Sequence, residues 1–158
     1  MTEIDEQFML RAIALAQSGM DSNSGGPFGA IVVKDGQVIG EGSNQVTSSN
    51  DPTAHAEIVA IRNACKTLGT FQLDGCIIYT SCEPCPMCLG ALYWARPEKV
   101  FFACTREDAA NVGFDDDFLY REMEKSINDR ELQMYNLMRK ESLRVFSNWA
   151  EKADKTEY

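Results

Sequence analysis

The chain has 158 residues, a length typical of one domain, and its apolar content of 44% suffices for a hydrophobic core. The formal net charge of −9 argues against a broad nucleic-acid surface, although a local basic rim can still form from Arg62, Lys66, Arg96 and Lys99. The acidic start of the chain and the lack of a long apolar run predict neither an export signal nor a membrane span. We therefore expect a cytoplasmic protein that acts on a small uncharged molecule.

The first third of the chain predicts one helix and a hairpin. Thr2 can cap a helix that has an acidic first turn and apolar residues at helical spacing, and that stops at Ser18-Gly19. Residues Phe28–Lys34 and Gln37–Ser43 are predicted to be strands, joined by a tight turn at Asp35-Gly36.

The middle of the chain alternates between helix and strand patterns. A polar loop is expected at Gln45–Pro52, followed by a buried helix at His55–Leu68 that closes at a glycine. A strand at Cys76–Thr80, a helix at Pro86–Ala95 and a strand at Val100–Cys104 come next. This order favours a mixed or parallel sheet with helices on both faces.

The last third has a weaker pattern. Residues Phe118–Lys125, Leu132–Leu137 and Ser142–Lys152 indicate a helix, a strand and a helix, and the charged tail from Glu151 is expected at the periphery. The sequence contains no repeat or linker, so we expect a single domain over residues 1–158.

Two short motifs carry the chemistry. His55-Ala56-Glu57 and the later Pro84-Cys85-Pro86-Met87-Cys88 match the H-x-E and P-C-x-x-C signature of zinc nucleobase deaminases. Cys85 and Cys88 lie one helical turn apart and can direct two thiolates at one ion, while His55 supplies a neutral nitrogen. Three protein ligands leave one tetrahedral position for a water whose pKa the zinc lowers towards about 7. Glu57, two residues after the histidine, is the expected proton shuttle.

Cys82 leaves two alternatives to this assignment. The run Cys82-x-x-Cys85-x-x-Cys88 resembles part of an iron–sulfur motif, but position 92, where a further cysteine is needed, is Leu. A closed, structural zinc site would need Cys82 as a fourth ligand and would give Glu57 no task. We therefore predict that His55, Cys85 and Cys88 hold one zinc ion, and that Cys82 packs beside them.

Longer segments extend the match over nearly the whole chain. They are residues 26–30 (GPFGA), 49–57 (SNDPTAHAE), 79–96 (YTSCEPCPMCLGALYWAR), 113–116 (GFDD) and the closing Glu157-Tyr158. On these residues the sequence resembles the cytidine-deaminase superfamily and, through its two C-terminal segments, the bacterial-type guanine deaminases within it. The superfamily also includes tRNA adenosine deaminases and cytosine deaminases.

The resemblance implies a three-layer α/β/α fold around a five-stranded mixed sheet. It also implies a homodimer in which the C-terminal segment, about residues 140–158, is exchanged and closes over the partner's site. Substrate contacts are implied at six positions: Phe28, Asn44, Trp94, Phe114, Asp116 and Tyr158. By residue type alone, Phe28 and Trp94 more often belong to a core, and Asn44 to a turn. The run Asp115-Asp116-Asp117 leaves open which carboxylate contacts the base.

We therefore expect zinc-dependent deamination of guanine to xanthine, without nucleic-acid or membrane partners. The enzymatic alternatives are a tRNA adenosine deaminase, or a deaminase of cytosine, guanosine or a triazine. The non-enzymatic alternative is a structural zinc module.

Overall fold

A computed structural model describes residues 2–158, which form four strands and seven α-helices. In chain order these are α1 (Glu3–Asp21), β1 (Gly29–Lys34), β2 (Gln37–Ser43), α2 (Val46–Ser49), α3 (Ala56–Leu68), β3 (Cys76–Cys82), α4 (Pro86–Ala95), β4 (Lys99–Cys104), α5 (Arg106–Asn111), α6 (Asp117–Glu124) and α7 (Arg139–Glu151), with a 3₁₀ turn at Ile127–Asp129. None of the helices within residues 2–158 has the length and apolarity needed to cross a membrane.

The chain divides into two compact units, the first ending at Asp117 and the second spanning Phe118–Tyr158. The sheet lies in the first unit and has the order β2-β1-β3-β4. Strand β1 runs antiparallel to β2 and β3, whereas β3 and β4 are parallel, so the sheet is mixed as predicted. The hairpin turn at Asp35-Gly36 is confirmed, and both residues have positive φ, as a tight two-residue turn requires.

Alternate residues of the central strands face two different helical layers. Ala30 and Val32 of β1 pack with α3 and α4, while Ile31 and Val33 pack with α1. Because successive strand side chains point to opposite faces, this alternation buries both faces of the sheet. The three-layer α/β/α arrangement is therefore confirmed in the first unit.

The prediction of a five-stranded sheet is wrong, because the sheet of the described residues has four strands. Residues 132–137, predicted to form a strand, have no regular secondary structure, and their side chains are exposed. An alternating apolar pattern becomes a strand only where a neighbouring backbone supplies a hydrogen-bonded ladder and a face to bury. The helices predicted on either side of this segment are present as α6 and α7.

Helix α3 lies unusually close to β2. A Cβ atom on Gly40 would lie 2.6 Å from both Ala60 O and Ala64 N, and one on Gly42 would lie 2.3 Å from Ala56 O. The helix presents Ala56, Ala60 and Ala64 to this part of the sheet, so its backbone packs directly against the strand. This contact fixes the position of the first turn of α3.

We expect Gly40→Ala to destabilise the fold by about 1–3 kcal/mol, because the new methyl group must push α3 away from β2. Urea unfolding of the two chains measures the difference. The matched control is Gly90→Ala in α4, where a Cβ would meet nothing within 4 Å, so stability should stay the same or rise. Equal loss in both variants would contradict the close-contact explanation.

A buried tyrosine ties α1 to the sheet. Tyr79 Oη donates a 2.6 Å hydrogen bond to Asp5 Oδ1, and its ring stacks on Phe101 at a centroid distance of 5.1 Å. The hydrogen bond from Tyr79 is the main reason that the pKa of Asp5 falls from 3.8 to about 2. A carboxyl group whose pKa is lower in the folded chain stabilises the fold above its unfolded pKa, and this contribution is lost as pH falls through the folded pKa.

We expect Tyr79→Phe to be less stable than the wild type at pH 6, with a difference that shrinks as the pH falls below about 4, because protonation of Asp5 removes the same contribution from the wild type. Urea unfolding of both chains from about pH 6 down to about pH 3 measures this. A difference that does not change over that range would exclude the Asp5 carboxylate as its source.

Candidate active site

Two helix N-termini meet at the candidate metal site. His55 is the N-cap residue of α3 and has an extended backbone, so its ring precedes the first helical turn. Cys85 is the N-cap residue of α4, which begins at Pro86, and Cys88 lies in the first turn of that helix. Proline is favourable at the first helical position because its missing N–H is not needed there.

The three predicted ligands lie together. Their donor atoms are within 4.8 Å of one another, and His55 Nδ1 lies 3.6 Å from the Sγ atoms of both Cys85 and Cys88. A tetrahedral zinc ion with bonds of about 2.3 Å to sulfur and about 2.0–2.1 Å to nitrogen places such ligand pairs about 3.5 Å apart. One imidazole nitrogen and two thiolates also form a typical zinc donor set. The donor atoms therefore fit a zinc ion in both spacing and chemistry.

The surroundings favour a thiolate at Cys85. A hydrogen bond from Cys88 and a second interaction with His55 lower the pKa of Cys85 to about 4, against the opposing effect of burial. The same hydrogen bond is the main cause that raises the pKa of Cys88. Binding of a cation by both sulfurs would displace the proton of the Cys88 thiol.

Cys82 belongs to the neighbourhood but not to the donor cluster. Burial is the main reason that the pKa of Cys82 rises to about 11, which keeps it a neutral thiol. Its Sγ donates a 3.5 Å hydrogen bond to the carbonyl of Thr105. This environment suits a packed thiol and opposes a fourth zinc ligand.

Glu57 is a nearly fully buried carboxyl group beside the three donors, with 6% of its surface exposed. Desolvation is the main cause that raises its pKa, and the charge of Cys85 adds to this effect. A carboxyl group with a raised pKa can hold and release a proton closer to neutral pH.

A cavity of about 280 Å³ opens beside the donor cluster. This volume suits a small ligand such as a single planar base. Its lining consists of Gly26, Phe28, Asn44, Val46, Thr47, His55, Glu57, Cys82, Glu83, Cys85, Phe114 and Asp116.

One wall of the cavity is aromatic. The rings of Phe28 and Phe114 meet edge to face, with centroids 4.8 Å apart and an interplanar angle of 84°. Aromatic side chains give a planar base a large apolar contact surface. The structure thus brings Phe28 and Phe114 to the same cavity as the metal donors.

The acidic residues that follow α5 differ in their contacts. Asp115 Oδ1 accepts from the backbone N–H of Asp117, which begins α6. Asp116 is the member that lines the cavity, and burial is the main cause that raises its pKa. Its position makes Asp116 the candidate for a contact with the base.

Two predicted substrate residues are not among those that line this cavity. Trp94 lies on α4 with 63% of its surface exposed, and Tyr158 ends the second unit. Their contact with substrate stays a prediction.

The cavity also contains residues that sequence reasoning missed. Val46 and Thr47 begin the short helix α2, which lies inside the stretch predicted to be a loop. Glu83 lies between Cys82 and the metal-binding motif, and its Oε2 accepts from the backbone N–H of Arg106. Glu83 could have been predicted as a cavity residue because it directly precedes that motif in the sequence.

Residues 2–104 match the family model described as the cytidine and deoxycytidylate deaminase zinc-binding region. The chain therefore belongs to this family of zinc deaminases. Guanine deaminase of Bacillus subtilis (strain 168) is 57% identical over 153 residues, which cover 97% of this chain and 98% of that protein.

The similarity extends to three dimensions. The crystal structure of guanine deaminase from Bacillus subtilis superimposes with a TM-score of 0.95 at 56% identity, covering 100% of this chain and 99% of that chain. A tRNA-specific adenosine deaminase of Aquifex aeolicus is 51% identical over 77 residues, only 49% of this chain and 51% of that protein. The predicted resemblance to bacterial guanine deaminases is thus confirmed over nearly the full length.

We expect Cys85→Ala to lose bound zinc, because two donors cannot replace the three-membered set. Cys82→Ala should retain close to one zinc per chain, since its thiol bonds to a backbone carbonyl instead. Elemental analysis of the purified variants measures the ratio. Loss of zinc from the Cys82 variant would instead support the closed, structural site.

Proposed function

We propose that the protein hydrolyses guanine to xanthine and ammonia. The observation that carries this proposal is the 57% identity to a guanine deaminase over 97% of the chain. The small cavity with an aromatic wall, beside a His/Cys/Cys donor set, supports it independently. The similarity to tRNA adenosine deaminases covers less of the chain, and a net charge of −9 opposes tRNA binding.

In this proposal, His55, Cys85 and Cys88 hold one zinc ion, which supplies Lewis acidity that activates water at neutral pH. The Glu57 carboxylate accepts a proton from the attacking water. It passes this proton to a ring nitrogen as water adds, then takes the second proton from the added hydroxyl group and delivers it to the departing amine, so that a carbonyl group remains and ammonia leaves. Burial of Glu57 matches these alternating roles because it stabilises the protonated form.

Recognition of the base is assigned to the other residues of the cavity. Phe28 and Phe114 contact the faces or edges of the purine, while Asn44 and Asp116 form hydrogen bonds with its polar edge. A carboxylate such as Asp116 can accept from the N–H groups that guanine presents. We retain Trp94 and Tyr158 as further substrate contacts on the basis of the resemblance.

We expect purified wild-type protein to release ammonia and xanthine from guanine, and Glu57→Gln to lose at least about 10²-fold in kcat, because the amide cannot carry the proton. Zinc content should be unchanged in this variant, since Glu57 is outside the donor set. Coupled ammonia detection and chromatography of the product measure both rates. An active Glu57→Gln chain would exclude the shuttle, and release from cytosine, guanosine or a triazine but not guanine would reassign the substrate.

We also propose a homodimer that exchanges the C-terminal segment from about residue 140. No residue of the second unit, Phe118–Tyr158, is buried, although α7 carries Leu143, Phe146 and Trp149 at helical spacing. An amphipathic helix with its apolar face exposed requires a partner surface. A second copy of the chain would supply one by symmetry.

Removal of Glu157 and Tyr158 is expected to impair turnover far more than stability, because the tail is proposed to close a site rather than to build a core. Thermal unfolding and guanine turnover measure the two effects. Co-expression of the truncated chain with full-length Glu57→Gln then distinguishes exchange from closure within one chain. Exchange predicts that activity returns in the mixed dimer, and a mixed dimer without activity would contradict it.

The same chemistry favours a reducing compartment. All six cysteines are free thiols, and two of them are proposed zinc ligands that must stay reduced. We therefore propose a cytoplasmic location.

A further inference from the structure

The side chain of Asn44 is held by the backbone around it. Asn44 Oδ1 accepts hydrogen bonds from Gly26 N and Val46 N, each at 3.2 Å. Only 6% of the Asn44 surface is exposed, and residues 2–158 contain no buried side-chain nitrogen or oxygen that lacks a partner. Asn44 Nδ2 donates no hydrogen bond within residues 2–158, so it must be in contact with solvent. Asn44 is also one of the residues that line the cavity. Two hydrogen bonds therefore hold the carbonyl end, while the donor end keeps some contact with solvent.

The turn at residues 24–26 is also hydrogen-bonded to helix α2. Ser24 O accepts from Ser48 Oγ at 2.7 Å and from Thr47 Oγ1 at 3.4 Å. The turn therefore spans from α2 to the Asn44 amide, and both ends of its backbone are hydrogen-bonded.

Gly25 lies at the centre of this turn, directly against Asn44. A Cβ atom there would lie 2.2 Å from Asn44 Oδ1 and 2.5 Å from Asn44 O, closer than real contacts allow. Gly25 is not among the residues with positive φ, so space rather than backbone conformation requires glycine. Any side chain at this position would displace either the turn or the Asn44 amide.

We propose that Gly25 is a positioning residue for substrate recognition. Because Gly25 has no side chain, the turn can approach Asn44 and donate the Gly26 N–H to Asn44 Oδ1, an interaction that we call the clamp. The clamp holds Nδ2 in place as a donor to a hydrogen-bond acceptor on the purine. This inference rests on the proposed function, because it assigns the base as the ligand of Nδ2. Gly25 acts only through Asn44 and does not touch the reacting atoms.

A mutant cycle on guanine turnover tests the proposal. Gly25→Ala should lower kcat/KM by about tenfold or more, mainly through KM, with zinc content unchanged. If Gly25 affects turnover only through the Asn44 side chain, the double variant Gly25→Ala/Asn44→Ala should lie within about twofold of Asn44→Ala alone. The control Gly90→Ala should match the wild type. Wild-type kinetics in Gly25→Ala, multiplying losses in the double variant, or unfolding or zinc loss in Gly25→Ala would each overturn the proposal.

Amide hydrogen exchange tests the clamp without any catalytic assay. Asn44→Ala should speed exchange at Gly26 and Val46, while amides of the central strand β3 stay protected. Unchanged exchange at both positions would overturn the clamp. A wild-type protein that releases no ammonia from guanine, yet shows this exchange pattern, would refute the proposed function and leave the clamp intact.

Discussion

The direct contact of α3 with β2 is the constraint on which the site depends. Gly40 and Gly42 have no side chains, so the backbone of α3 packs against β2 at one short distance. This distance determines where His55 and Glu57 lie at the start of α3. The second helix N-terminus, carrying Cys85, follows the end of β3 in the same sheet. The positive ends of two helices then face a cluster that holds thiolates.

The metal donors were predictable because their information is local. Two cysteines three positions apart at a helix start, and a histidine two positions before a glutamate, define the set with little help from the rest of the chain. The strand predicted at residues 132–137 is absent from the structure, because strand formation depends on pairing with a distant backbone that a local pattern does not reveal. Helix α5 was missed although Thr105 and Asp108 form a capping box, a local signal that was available.

Burial of Glu57 shows how the fold accommodates an unfavourable group. A carboxyl group with 6% exposure costs free energy when it is charged, and the neighbouring Cys85 charge increases that cost. A site selected only for stability would replace such a group with an apolar one. Its presence beside three candidate metal donors agrees with the proposed proton transfer, for which an easily protonated carboxyl group is an advantage.

The lining of the candidate cavity comes from two stretches of the chain, one inside the family-defining region and one beyond it. The family-defining region ends at residue 104, whereas Phe114 and Asp116 reach the cavity from the stretch that follows. Changes confined to the stretch after β4 can therefore alter one side of the cavity while the His/Cys/Cys donor set stays the same.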